Sequence, residues 1–330
     1  MASLVSLRSL VSFPLASGLP QKSLMETLPS PHLTHPGLLI AIGGAEDKTR
    51  ERVILRYFLE SAGGPDANLV VLATASEVPE TGDRYAEIFY TLRAETVEVL
   101  KIENRQDALD AGQDMLDLLE YATGLFITGG SQLKLSSALG GTPLAAAIRR
   151  RHQEGMVVAG TSAGASLLAE HMIALGDSGA SPRRRLVHLA KGLGLAPDLM
   201  IDQHFRRRDR LGRLLTALSY NPEPLGLGID EDTAAIIEAG GVMDVMGAGG
   251  VTVIDASGLR YTDSYAVQRG QPLAMLGLKL DFLTSGCRYD LRRRVGIAPQ
   301  HASRIDPLME PVAVEEAPAE TTPVGMRDGE

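Results

Sequence analysis

The sequence predicts an α/β protein: an open, mostly parallel sheet flanked by helices, with added strand hairpins in the C-terminal part. Three observations carry this. Short apolar runs recur at 38–42, 69–73, 96–100, 124–128 and 156–160, apolar on both faces, as strands covered on both sides read. Stretches with helical periodicity separate them. The links between the two kinds of segment are short and rich in glycine.

Taken in order, the helical stretches are 51–60, 84–91, 107–121 and 143–154, punctuated by Gly63-Gly64 and Gly140-Gly141. A sheet of this kind carries its reactive groups beyond the carboxyl ends of its strands. Four strands end there in glycine and small polar residues: Gly43-Gly44-Ala45-Glu46-Asp47, Thr74-Ala75-Ser76, Gly129-Gly130-Ser131-Gln132 and Thr161-Ser162-Ala163-Gly164. A helix is expected over 165–175 and a loop over 177–194. A strand at 199–202, a basic helix over 208–219 and a strand at 225–230 follow. Strands at 234–238, 242–246 and 251–255 come next, turned by Gly240-Gly241 and by Ala248-Gly249-Gly250.

The 330 residues include one cysteine, Cys287, which excludes an intrachain disulfide and any multi-cysteine metal site. Net charge is −9 and tryptophan is absent, which argues against nucleic-acid binding. No apolar run is long enough to cross a membrane, and a cytoplasmic location is expected. Residues 303–330 hold seven acids against two bases and read as an acidic, disordered tail. Residues 1–36 match a secretory signal poorly and read as a flexible extension, a removed targeting peptide being the alternative. A single α/β domain is expected over 37–302.

The chemistry centres on Gly160-Thr161-Ser162-Ala163-Gly164. A G-x-S-x-G between strand and helix places the serine at the apex of a sharp turn, where glycines remove the Cβ atoms that would clash. The amide of Ala163, with that of Gly130, is placed to receive an oxyanion. A serine nucleophile needs a base, and the base an orienting acid. Among seven histidines, His204 alone follows a short apolar strand, which puts it on the rim with Ser162. The acid lies in Asp230-Glu231-Asp232, and spacing leaves the choice among the three open. The order Ser…His…acid differs from that of α/β-hydrolases. No H-E-x-x-H, phosphate loop or dinucleotide fingerprint is present, so no metal or cofactor is implied.

These residues resemble the cyanophycinase family, serine exopeptidases grouped with aspartyl dipeptidase. LLIAIGGAED (38–47), FITGGSQ (126–132), GTSAGA (160–165), DQHFRRRDRLGRLL (202–215) and GIDEDTA (228–234) carry the likeness. It spans about 37–258 and, more weakly, runs to 302. The resemblance implies a flavodoxin-like fold akin to class I glutamine amidotransferases, a homodimer, and cyanophycin as substrate. Cyanophycin is a polyaspartate whose side chains each carry an arginine through an isopeptide bond, and β-aspartyl-arginine is the expected product. By position, Ser162 is the nucleophile, His204 the base and Glu231 the acid, while Gln132, Asp202, Gln203, Arg208, Arg210 and Arg213 line the cleft. The arginines suit a terminal carboxylate, and Glu46, Asp47 and Asp202 suit substrate guanidinium groups. An aspartyl dipeptidase acting on short α-peptides, and an inactive amidotransferase-like binding protein, are the alternatives.

Overall fold

The computed structural model describes residues 35–299. The expected tail at 303–330 lies outside that span, as does the N-terminal extension apart from its last two residues.

Five parallel strands form the centre: β1 (Leu39–Ile42), β2 (Asn68–Leu72), β3 (Thr96–Leu100), β4 (Gly124–Ile127) and β5 (Val157–Thr161), ordered β1-β5-β4-β2-β3. Successive side chains of a strand leave opposite faces, so Leu39 and Ala41 enter one apolar core while Ile40 and Ile42 enter another. Helices α1 (Val53–Ser61) and α2 (Thr81–Thr91) cover the second core, where the rings of Phe58, Phe89 and Phe126 meet at 5.3–5.5 Å. Helices α3 (Arg105–Leu109), α4 (Gln113–Tyr121), α5 (Gln132–Leu139) and α6 (Pro143–Gln153) cover the first.

The expected helices depart from the structure in three places. The stretch 107–121 is divided into α3 and α4, because Asn104 caps α3 in a capping box and Gly112 starts a new helix. Helix α5 was not foreseen; Ser131 caps it by accepting the amide of Lys134. The expected helix at 165–175 is a single short helix, α7 (Ala163–Leu167), followed by strand β6 (His171–Gly176). That strand pairs with β7 (Val187–Lys191), inside the stretch read as loop, so cross-strand pairing overrides local preference.

The remaining elements extend the large sheet and build smaller ones beside it. They are β8 (Leu199–Gln203), α8 (Leu211–Tyr220), β9 (Leu225–Ile229), β10 (Thr233–Ile237), β11 (Val242–Gly247) and β12 (Gly250–Asp255). Shorter strands follow: β13 (Tyr261–Thr262), β14 (Met275–Leu276), β15 (Lys279–Thr284), β16 (Arg288–Asp290) and β17 (Val295–Ile297). From β1 the large sheet continues through antiparallel β10, β11, β16 and β17. Gly240-Gly241 turns the β10–β11 hairpin as expected. Ala248-Gly249-Gly250 does not make a hairpin: β12 pairs with β9 and β15 in a separate sheet ordered β15-β12-β9-β8. Among the described residues no helix is long and apolar enough to cross a membrane.

Candidate active site

Ser162 sits between β5 and α7 with φ 53° and ψ −114°, a conformation that costs an L-residue of order 1–3 kcal/mol. Close packing holds it there. A Cβ on Gly160 would lie 2.3 Å from the carbonyl oxygen of Gly164, and one on Gly164 2.3 Å from that of Ile127. The Ser162 amide donates to Ile42 O at 2.9 Å, tying the turn to β1. Among the described residues no backbone acceptor takes the amide hydrogens of Gly130 and Ala163. Gly129 passes so near that a Cβ there would meet Ser162 Cβ at 3.0 Å.

His204 follows β8 of the smaller sheet, not a strand of the sheet that carries Ser162. Its amide donates to Gly43 O at 2.8 Å, and its ring lies against Gly44. A Cβ on Gly44 would approach the imidazole to 2.4 Å, so the residue must be glycine for the ring to occupy that place. Nε2 is 2.9 Å from Ser162 Oγ and Nδ1 is 2.7 Å from Glu231 Oε1. A carboxylate only accepts, so Nδ1 carries the proton and Nε2 is left to accept from the serine hydroxyl. Burial lowers the histidine pKa; the hydrogen bond to Glu231 pulls the other way, and the positive charges of Arg208 and Arg210 add to the lowering. The imidazole is therefore neutral near pH 7.

The three consecutive acids divide their work. Asp230 accepts from the Arg206 guanidinium at 2.5 Å and from the Gly250 amide at 3.0 Å. Asp232 accepts the Asp47 amide at 2.9 Å. Glu231 alone reaches His204.

Several residues expected to line the cleft lie behind it instead. Asp202 is wholly buried and holds Arg213 in a two-pronged pair, at 2.6 and 2.5 Å, while also accepting the Gln203 amide. Neither charge is free for a ligand. Arg210 is buried as well and donates to Gln203 O at 2.6 Å; desolvation lowers its pKa to about 10. Glu46, 3% exposed, accepts from Tyr85, from Thr161 Oγ1 at 2.6 Å and from Lys48 at 2.8 Å, so it braces the residue before the serine. Asp47 accepts the amides of Thr49, Arg50 and Arg52, bonds that hold its carboxyl well below the usual range. Gln132 donates to Ile173 O at 2.8 Å and Ser166 Oγ at 3.3 Å, joining α5 to β6. Gln203 Oε1 is 3.4 Å from Ser162 Oγ. Arg208 is exposed beside the histidine, its amide donating to His204 O. The bracing of Thr161 by Glu46 and Tyr85 has no local sequence signal. A separate cavity of about 400 Å³, lined by Leu39, Leu199, Leu225 and Ile237 together with charged Asp198, Glu238 and Arg292, lies at the opposite ends of the strands.

The model of peptidase family S51 matches residues 38–245. A cyanophycinase of Synechococcus elongatus is 44% identical over 279 residues, covering 84% of this chain and 85% of that protein. A cyanophycinase of Nostoc sp. is 42% identical over 274 residues, covering 82% and 91%. The solved structure of a peptidase from an acI-B1 Actinobacterium shares the fold, with a TM-score of 0.57 at 20% identity over 78% of this chain and 98% of that one. This chain belongs to peptidase family S51 and is a serine-type peptidase.

Proposed function

We propose that this chain hydrolyses the aspartyl backbone of cyanophycin and releases β-aspartyl-arginine. The observation that carries the reading is the unbroken hydrogen-bonded series Ser162–His204–Glu231, at 2.9 and 2.7 Å, on a strained turn in a chain 44% identical to a cyanophycinase. Ser162 Oγ attacks the scissile carbonyl carbon while His204 Nε2 takes its proton. The oxyanion forms against the amides of Ala163 and Gly130. The C–N bond breaks, His204 returns the proton to the leaving amine, and water then cleaves the acyl-enzyme by the same route. Glu231 keeps Nδ1 protonated and steadies the imidazolium that forms. Arg208 is the arginine best placed for a substrate carboxylate, since Arg210 and Arg213 are committed within the protein. The reading includes the homodimer the resemblance implies, with exposed Leu280 and Phe282 on the edge strand β15 as its candidate seam.

Incubation with insoluble cyanophycin and analysis of the soluble products tests it. Wild-type protein is expected to release β-aspartyl-arginine. Ser162→Ala is expected to lose about 10⁶-fold in kcat with its folding intact. Cleavage retained by that variant refutes the assignment, and turnover of Asp-Leu in place of the polymer returns the chain to the dipeptidase alternative.

A further inference from the structure

A groove of about 630 Å³ opens on the same rim as Ser162, around the ends of β2 and β3. Two strand spacings, roughly 10 Å, separate β5 from β2. The Gly129-Gly130 backbone fills that interval. It touches Ser162 on one side, and on the other a Cβ at Gly130 would lie 2.0 Å from Ala75 O. Ala75, against which Gly130 packs, lies between Thr74 and Ser76 of the groove lining, so the groove lies on the far side of that backbone from the nucleophile.

Glu77, Asp83 and Glu103 bring three carboxylates to the groove, and Lys101 and Lys134 bring two ammonium groups. Among the described residues none of the five enters an ion pair. Thr74, in the same wall, is 3% exposed, and its hydroxyl has no hydrogen-bond partner among the described residues. A buried hydroxyl left unpaired is uncommon.

Mixed charge selects the ligand class. A simple cation meets the two lysines and a simple anion meets the three acids. A zwitterion with a guanidinium at one end and a carboxylate at the other satisfies both. An arginine joined through its α-amino group to an aspartyl side chain is such a group, because its guanidinium and α-carboxylate are both free. We propose that this groove is a subsite for the arginyl branch on the residue neighbouring the scissile one. The guanidinium lies among Glu77, Asp83 and Glu103, and the branch carboxylate lies toward Lys101 and Lys134. This rests on the function proposed above and adds to it a determinant of substrate preference.

The test uses β-aspartyl-arginine oligomers and matched oligomers in which the neighbouring branch carries citrulline, a neutral isostere of arginine. Wild-type protein is expected to lose about fivefold in kcat/KM on the citrulline substrate, through KM, as a partly exposed charge contact warrants. Glu77→Gln/Asp83→Asn/Glu103→Gln is expected to start about fivefold lower on the arginine substrate and to treat the two alike. All three positions are exposed. Labelling of Ser162 by a fluorophosphonate at the wild-type rate shows that the variant is folded and its serine intact. A variant that keeps the wild-type kcat/KM and the wild-type discrimination overturns the subsite alone. Wild-type protein that cleaves neither oligomer overturns the proposed function and the subsite together.

Discussion

Replacing Arg213 by methionine removes one half of a pair that lies wholly inside the protein. Asp202 is 0% exposed and Arg213 is 4% exposed, and two hydrogen bonds join them. The variant strips Asp202 of both hydrogen bonds to Arg213 and leaves only Arg210, at 3.5 Å, to balance its charge in a place that water does not reach. Breaking such a pair from one side costs about 3–5 kcal/mol. A domain of this size shifts about 2–4 °C per kcal/mol, so the melting temperature should fall by on the order of 10 °C. Asp202→Leu with Arg213→Met still strands the buried Arg210, so only the triple variant that adds Arg210→Met removes every charge of the cluster and should recover most of that loss. Thermal unfolding followed by circular dichroism reads the stability, and steady-state kinetics on cyanophycin fragments reads KM apart from kcat. A direct substrate contact gives a different signature: an unchanged melting temperature and a raised KM. That result for Arg213→Met would refute the buried-pair account and restore the residue to the cleft.

Further outcomes follow from the surroundings of His204. Burial lowers its pKa below the ordinary 6.5, so the acid limb of kcat/KM should lie below pH 6.5. Glu231→Gln removes the interaction that raises this pKa, so the limb should move lower still while kcat falls by about 10⁴, read from a pH–rate profile. The sign for stability is the same: the unfolded histidine binds a proton more readily, so the contribution is present above pH 6.5 and is lost as pH falls through the lowered folded value. Gly44→Ala places a methyl 2.4 Å from the imidazole at a residue with φ 93°. An ångström of displacement there should cost about 100-fold in kcat, and a wild-type rate would show that the ring does not need the space.

The central strands were legible because strands covered on both faces read as nearly unbroken apolar runs, as Leu39–Ile42 and Gly124–Ile127 do. Strand β7 was not, because Val187–Lys191 is largely exposed and gains its place by pairing with β6. Ser162 announced itself because the turn that exposes it requires Gly160 and Gly164 at fixed offsets. His204 was legible from the strand before it, though the sheet to which that strand belongs was not. The charged residues misled for a physical reason. Composition shows that Asp202, Arg213 and Glu46 carry charge, but which charges neutralise one another is decided by distant contacts. Glu46 meets Tyr85 and Thr161 only once three separate segments converge.

Ser162 belongs to the large sheet, while His204 and Glu231 extend from strands of the small one. The two halves of the machinery are clasped at Gly43 and Gly44, whose carbonyls take the amides of His204 and Asp232 at 2.8 and 2.9 Å. A slip of one layer against the other disarms the enzyme while every strand keeps its ladder. Turnover thus becomes a gauge of interlayer registry, and gentle denaturation silences it before the helical content of the molecule begins to fall.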